Sequence, residues 1–274
     1  MEEKKKLTLK IKPKSGGNSG CMALFYGSAG AGKTISSCIN KNKTLFVTYK
    51  YDPTRHLKTM GFDISKTDVV DIHGSGIEGY ADMKELFFNP DTYEGYGTVI
   101  FDDVTLLFKE VLDEISEGTK LKDKDASILL QESAKDMSDY QVVYDQIVRF
   151  TRGIADLAVR LPIFFIFNCH VNPDYGKKKA GEGRNTKLIA DPNADFDIAP
   201  DFGNQKTTRI VSGFFDIVGY VKASDDDDPR PRVYFKKTKD YMAKWRGKSE
   251  FTEKPHRFVL DEILERSFGE KGKQ

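Results

Sequence analysis

The sequence predicts an α/β protein, a mostly parallel β-sheet flanked by helices, and three observations carry that expectation. Short β-branched or aromatic runs alternate with stretches of helical periodicity, the order that builds βαβ units. One such run, Cys21 to Tyr26, leads directly into Gly27-Ser28-Ala29-Gly30-Ala31-Gly32-Lys33-Thr34, a complete GxxxxGK[ST] phosphate-binding loop. Another, Thr98 to Phe101, ends in the paired carboxylates Asp102 and Asp103, where strand ends of open α/β sheets place their ligands.

From the N-terminus, Leu7 to Lys12 alternates with period two and reads as an edge strand, joined to the core by a turn-rich connector that ends at Gly20. The phosphate loop follows the first buried strand. Its glycines let the backbone curl into a nest of N–H donors around the α- and β-phosphates, and the helix-compatible Ile35 to Ile39 presents a positive N-terminal end. Lys33 is placed to reach the β/γ-phosphates and Thr34 to ligate Mg²⁺, so the whole loop from Gly27 to Thr34 is a nucleotide-binding candidate.

Thr44 to Tyr49 and Asp68 to Ile72 read as neighbouring parallel strands. Val143, Ile147, Phe150, Ile154 and Leu157 recur at helical spacing, with Ser138 and Gln141 as a capping-box start. That helix bridges the strand ending at Asp102 and a strand over Pro162 to Phe167, giving a βαβ crossover. Residues 171 to 208 lose periodicity and read as a mobile basic loop. Regular structure returns over 209 to 250 as a C-terminal β-hairpin, with the Asp225 to Asp228 turn simply solvated, and 251 to 274 reads as a tail helix. All 274 residues fit one P-loop domain.

Composition excludes less than the motifs do. Lys plus Arg number 43 against 42 Asp plus Glu, so net charge says nothing about polyanionic partners and only local clustering can. No run approaches the roughly 20 apolar residues of a membrane span, and the charged start lacks a signal-peptide core, so no membrane partner and a cytoplasmic location are expected. Cys21, Cys38 and Cys169 lack paired metal spacing and read as buried thiols.

Asp102 is the candidate second half of the nucleotide site, a carboxylate able to hold Mg²⁺ directly or through water. Asp103 reads equally as a water-orienting base or as a loop-start carboxylate.

The phosphate loop, Val99 to Asp102, Asp139-Tyr140, Phe165 to His170, Phe215 to Tyr220 and Ala243 to Arg246 together resemble the phage-encoded RecA-like ATPases, the compact core-only recombination ATPases associated with single-strand annealing. The similarity covers roughly residues 5 to 250, and only the phosphate loop is diagnostic alone. The resemblance implies a RecA-like P-loop core, ATP and Mg²⁺, single-stranded DNA as partner and a homo-oligomeric ring or filament. A single-strand-binding protein is a further candidate partner, and the host cytoplasm is the implied setting. Asn168 and His170 match the family's polar strand end, where a side chain senses the γ-phosphate. Lys244 and Arg246 match a Lys-x-Arg pattern that reaches the γ-phosphate held by a neighbouring subunit. One departure stands out: no Glu follows Thr48, where these enzymes usually place a catalytic one, leaving Asp52 or Asp103 as substitutes.

Local charge points to nucleic acid. From Pro229 to Lys248 there are eight Lys/Arg against the single acid Asp240, interleaved with Tyr234, Phe235, Tyr241 and Trp245. The loop adds Lys177, Lys178, Lys179, Arg184 and Lys187 as DNA-binding candidates. Competing readings are a packaging or helicase-loading ATPase, and a nucleotide-gated assembly module with little turnover.

Overall fold

A computed structural model describes residues 20–49, 52–72, 80–108, 137–180, 187–224, 230–246 and 252–268, without the side chains of 54, 80–83, 137–143, 179 and 268. Strands β1 (Cys21–Gly27), β2 (Thr44–Thr48), β3 (Thr67–Asp71), β4 (Thr98–Phe101) and β5 (Phe164–Asn172) form parallel pairs with β9 (Ile217–Lys222), in the spatial order β9-β1-β5-β4-β2-β3. β10 (Arg232–Tyr234) and β12 (His256–Arg257) extend the β9 edge antiparallel, and β11 (Lys244–Trp245) also pairs with β9. This is the mostly parallel, helix-flanked sheet that the sequence predicts, with the phosphate loop following β1.

The strands are apolar on both sides because both faces are covered. On one face Met22, Leu24, Tyr26, Phe101 and Phe167 share a core with the long crossover helix α4 (Met137–Arg160), reached after α1 (Lys33–Cys38), α2 (Pro53–Thr59) and α3 (Tyr80–Phe88). Phe150 of α4 packs against Phe87, Phe88, Phe101 and Phe108 at ring distances of 5.6–6.0 Å. On the opposite face Cys21, Ala23, Phe25, Ile100 and Ile166 pack with Ala31 and Cys38, around the phosphate-loop helix. All three cysteines are buried free thiols, as expected.

Three sequence expectations need correction. The 171–208 stretch is not irregular: β5 runs on to Asn172, β6 (Lys177–Ala180) pairs antiparallel with β7 (Lys187–Ala190), and β8 (Ala199–Pro200) pairs with β5. Its hairpin pairs lysines with the exposed, adjacent Leu188 and Ile189, which do not alternate, so it carries no hydrophobic periodicity to read. The C-terminal hairpin, in turn, starts later than 209. Gln205–Phe214 is a helix, α5, capped by Asn204, whose Oδ1 accepts from Thr207 N at 2.8 Å. Its buried stripe, Thr207, Thr208, Val211 and Ser212, is mostly polar and does not stand out against the apolar run that continues into β9. The hairpin itself forms, β9 against β10. The tail helix is α6 (Leu260–Phe268), preceded by β12 rather than by more helix. The Leu7 to Lys12 strand, its connector to residue 19, the Asp225 to Asp228 turn, Arg184, and the side chains of Ser138, Asp139, Tyr140, Gln141 and Lys179 lie outside the described residues. Among the described residues no helix is long and apolar enough to cross a membrane.

Candidate nucleotide site

Strand register brings the site together. β1 pairs with β5 so that Phe25 faces Asn168 and Gly27 faces His170, while β4 pairs with β5 so that Phe101 faces Phe167. The phosphate loop, Asp102 and Asn168 therefore leave the sheet at one level of its carboxyl edge, with β5 between the two halves of the site.

The loop needs its glycines for different reasons. Gly30 and Gly32 have φ of 75° and 87°, left-handed conformations that disfavour a side chain. A Cβ on Gly27 would sit 2.2 Å from the Val221 carbonyl oxygen, so the loop's start can lie against β9 only as glycine. Lys33 is buried, and its Nζ donates to the Gly27 and Ser28 carbonyls at 2.9 and 3.0 Å. Burial lowers its pKa, opposed by the nearby Asp103 and Asp102 carboxylates.

Asp102 is 5 % exposed, and burial pushes its pKa up to about 6, with hydrogen bonding from Thr34 pulling the other way. Its Oδ2 is buried without a hydrogen-bond partner. A hydroxyl beside a buried carboxylate oxygen that has spare lone pairs is a donor set that suits a hard divalent cation, so Thr34 and Asp102 fit Mg²⁺. Asn168 is fully buried; its Oδ1 accepts from Ser37 Oγ at 3.1 Å, while its Nδ2 lies close enough to Asp102 to help hold that carboxyl's pKa down without closing a well-formed hydrogen bond. An unused buried donor beside Asp102 and the loop is suited to a phosphate oxygen.

Both carboxylate oxygens of Asp103 are engaged. Its Oδ1 accepts from Thr105 N at 2.7 Å, opening the helical turn 104–108, and its Oδ2 meets His170 Nε2 at 2.7 Å. That hydrogen bond raises the His170 pKa, against the opposing effect of burial. Thr105, which sequence reasoning missed, ties the strand ends: its hydroxyl accepts from His170 N at 3.1 Å and lies 3.3 Å from both Cys169 Sγ and the Asp201 carbonyl. Ser37 was missed as well. Its position one helical turn beyond Lys33 was a signal that it lies beneath the loop. Asp52 is exposed in the segment entering α2.

Lys244 and Arg246 stand on or just after β11, across β9 from the loop strand. Lys244 Nζ donates to the Gly213 and Phe215 carbonyls, capping the C-terminal end of α5. Arg246 pairs with Asp216 at 2.7 Å, and Asp216 also accepts from Met22 N at 3.1 Å. Within one chain both cations are thus engaged. In the β6–β7 hairpin Lys177 pairs with Asp174 at 2.7 Å and Lys178 with Asp191 at 3.6 Å, both pairs partly exposed, while Lys187 is exposed.

A family model described as an AAA domain matches residues 19–247. No curated protein matches the chain. Among solved structures, the chain is similar to a KaiC-like protein from the hyperthermophilic archaeon Pyrococcus horikoshii OT3, at 10% identity and a TM-score of 0.40, over 83% of each chain. It is also similar to the RadB recombinase, at 11% identity and a TM-score of 0.42, over 79% of this chain and 80% of that one.

Proposed function

Because the chain belongs to the AAA domain family, a family of P-loop ATPases, we propose that it binds and hydrolyses ATP and couples the cycle to single-stranded DNA, promoting annealing or strand exchange in recombination. The observation that carries the nucleotide half is the meeting of Lys33, Thr34, Asp102 and Asn168 at one sheet edge, with unused polar capacity on the buried Asp102 and Asn168 side chains. Lys33 binds the β/γ-phosphates once it exchanges the loop carbonyls for phosphate oxygens. Thr34 and Asp102 hold Mg²⁺, which supplies charge neutralisation to the transferring phosphoryl group. Asn168 donates to the terminal phosphate, and Asp103 keeps His170 oriented at the same edge. Asp103 or Asp52 orients the attacking water in place of the missing Glu.

The DNA half rests on the basic β6–β7 hairpin, which β5 joins directly to Asn168 and His170, and on the resemblance to annealing ATPases. We place the activity in the cytoplasm of a phage-infected host, in a ring or filament where Arg246 leaves Asp216 for the nucleotide of a neighbouring subunit. Lys244 and Arg246 would then stabilise charge during phosphoryl transfer.

Steady-state ATP hydrolysis measured alone, with single-stranded DNA and with duplex tests the reading. Stimulation by the single strand is expected. Stimulation by duplex alone would favour a packaging or loading motor, and slow turnover under all conditions would favour a nucleotide-gated assembly module, as the absent Glu after Thr48 suggests.

A further inference from the structure

The basic 230–246 segment carries aromatic rings of two kinds, and the fold separates them. Phe235 is buried and packs on Trp245 at 4.8 Å, so both serve the core around the phosphate-loop helix. The tyrosines do not follow them. Strand register places Tyr26, Tyr220 and Tyr234 in one row across β1, β9 and β10. Tyr26 is buried and fixed by its hydroxyl donating to the Met242 carbonyl at 2.7 Å, which gives the row a rigid floor. Tyr220, Tyr234 and Tyr241 remain partly exposed. Tyr241 stacks on Tyr220 at 5.1 Å and 27°, and meets Tyr234 edge-on at 5.6 Å.

We propose that Tyr220, Tyr234 and Tyr241 form a stacking platform for the bases of single-stranded DNA, contiguous with the basic hairpin. This rests on the single-stranded-DNA reading above and gives it a second contact surface. Three observations favour a DNA base over the adenine of the bound nucleotide.

The first is the side of the sheet. Tyr26 and Tyr220 belong to the core shared with α4, whereas the loop helix α1 packs on the other face. The second is continuity with the hairpin. Asp197 and Ile198, between β7 and β8, donate backbone hydrogen bonds to the Lys239 and Asp240 carbonyls, and Met242 N donates back to Ile198. Gly176 N, just before β6, donates to the Asp197 carbonyl, so the tyrosines and the hairpin base share one hydrogen-bonded surface. The third is charge. Lys236, Lys237 and Lys239 are exposed in the chain between Tyr234 and Tyr241, with Asp240 the one acid among them. Cations that follow a backbone beside exposed ring faces are the combination by which proteins hold single strands with little regard to sequence.

Binding of fluorescein-labelled oligo(dT) and of an abasic oligomer with the same number of phosphates tests this, with Mg²⁺ and a slowly hydrolysed ATP analogue present. The wild-type protein is expected to prefer oligo(dT). Combining Tyr234→Leu with Tyr241→Leu should weaken oligo(dT) binding by about five- to a hundredfold, the range for removing one stacked base or so, and bring the two oligomers level. The salt slope should stay unchanged, since every phosphate-facing cation is kept. The Tyr234→Phe, Tyr241→Phe pair keeps the rings and should bind like wild type, separating stacking from a folding defect. Equal wild-type affinity for both oligomers, or Leu variants that keep the preference, would overturn the platform and leave the DNA reading in place. Loss of ATP-analogue affinity with oligo(dT) binding intact would overturn it by assigning the rings to adenine. A wild-type protein that binds neither oligomer would remove the DNA reading itself and the platform with it.

Discussion

Replacing Asp102 with Asn should stabilise the nucleotide-free protein while removing its Mg²⁺-dependent function. The carboxyl is 5 % exposed, and burial raises its pKa from 3.8 to about 6. With the folded pKa above the unfolded one, the native state binds the proton more tightly, so stability falls as pH rises between the two values. Above the upper value the full cost is in place. At about 1.4 kcal/mol per unit, a gap of about two units makes the ionised carboxylate cost about 3 kcal/mol at pH 7.5 and roughly half that at pH 5. Asn keeps an acceptor for Thr34 and cannot ionise. At roughly 2–4 °C per kcal/mol for a domain of this size, the variant should melt about 6–12 °C higher at pH 7.5 and gain about half as much at pH 5. Thermal unfolding followed by circular dichroism at both pH values reads this directly. Saturating Mg²⁺ and ATP should then favour the wild type, because only its carboxylate gains a cation. A variant no more stable than wild type at pH 7.5, or a gain that does not change with pH, would refute the idea that Asp102 is a buried charge held ready for a metal.

Asn168→Ala should lower turnover more than nucleotide affinity, checked by comparing kcat with analogue binding, and should cost about 1–3 kcal/mol of stability by leaving Ser37 Oγ unpaired. Changing Lys177, Lys178 and Lys187 to Gln should flatten the salt dependence of oligo(dT) binding by about 0.7 for each phosphate that is no longer neutralised, read from affinities over a salt series. Arg246→Ala should spare nucleotide affinity and reduce turnover in the assembled state. Mixing it with Lys33→Ala subunits, each inactive alone, should restore part of the activity if the arginine works across an interface; no recovery in mixtures shown to co-assemble would confine it to the Asp216 pair.

The parts of the site that share a continuous segment were readable in the sequence. Gly27 to Thr34 form a local backbone device, and Asp102 follows an apolar strand, so spacing alone located both. Contacts set by sheet register were not. Ser37 meets Asn168 across 131 positions, and the Asp103 pairing that orients His170 depends on how β4 lies beside β5. The β6–β7 hairpin hid because exposed lysine strands show no buried alternation. Helix α5 hid because its inward stripe includes Thr207, Thr208 and Ser212 and its signal was one cap, Asn204. The aromatics of 230–246 could be counted but not sorted, since Phe235 faces the core and Tyr234, one residue earlier, does not. Alternation along a strand end states that neighbours point apart, and only pairing with β9 states which of them reaches the surface.

The most direct measurement of the central claim is calorimetric titration of the protein with a slowly hydrolysed ATP analogue, with and without Mg²⁺, in wild type and Lys33→Ala. The wild type should bind one analogue per chain, more tightly with Mg²⁺. Lys33→Ala should bind at least about tenfold more weakly, because charge-assisted bonds to the phosphates disappear while a loop shaped by its own backbone stays folded. Equal binding by a folded Lys33→Ala protein, or wild-type affinity indifferent to Mg²⁺, would contradict the assignment of this loop and Asp102 as a Mg²⁺-ATP site.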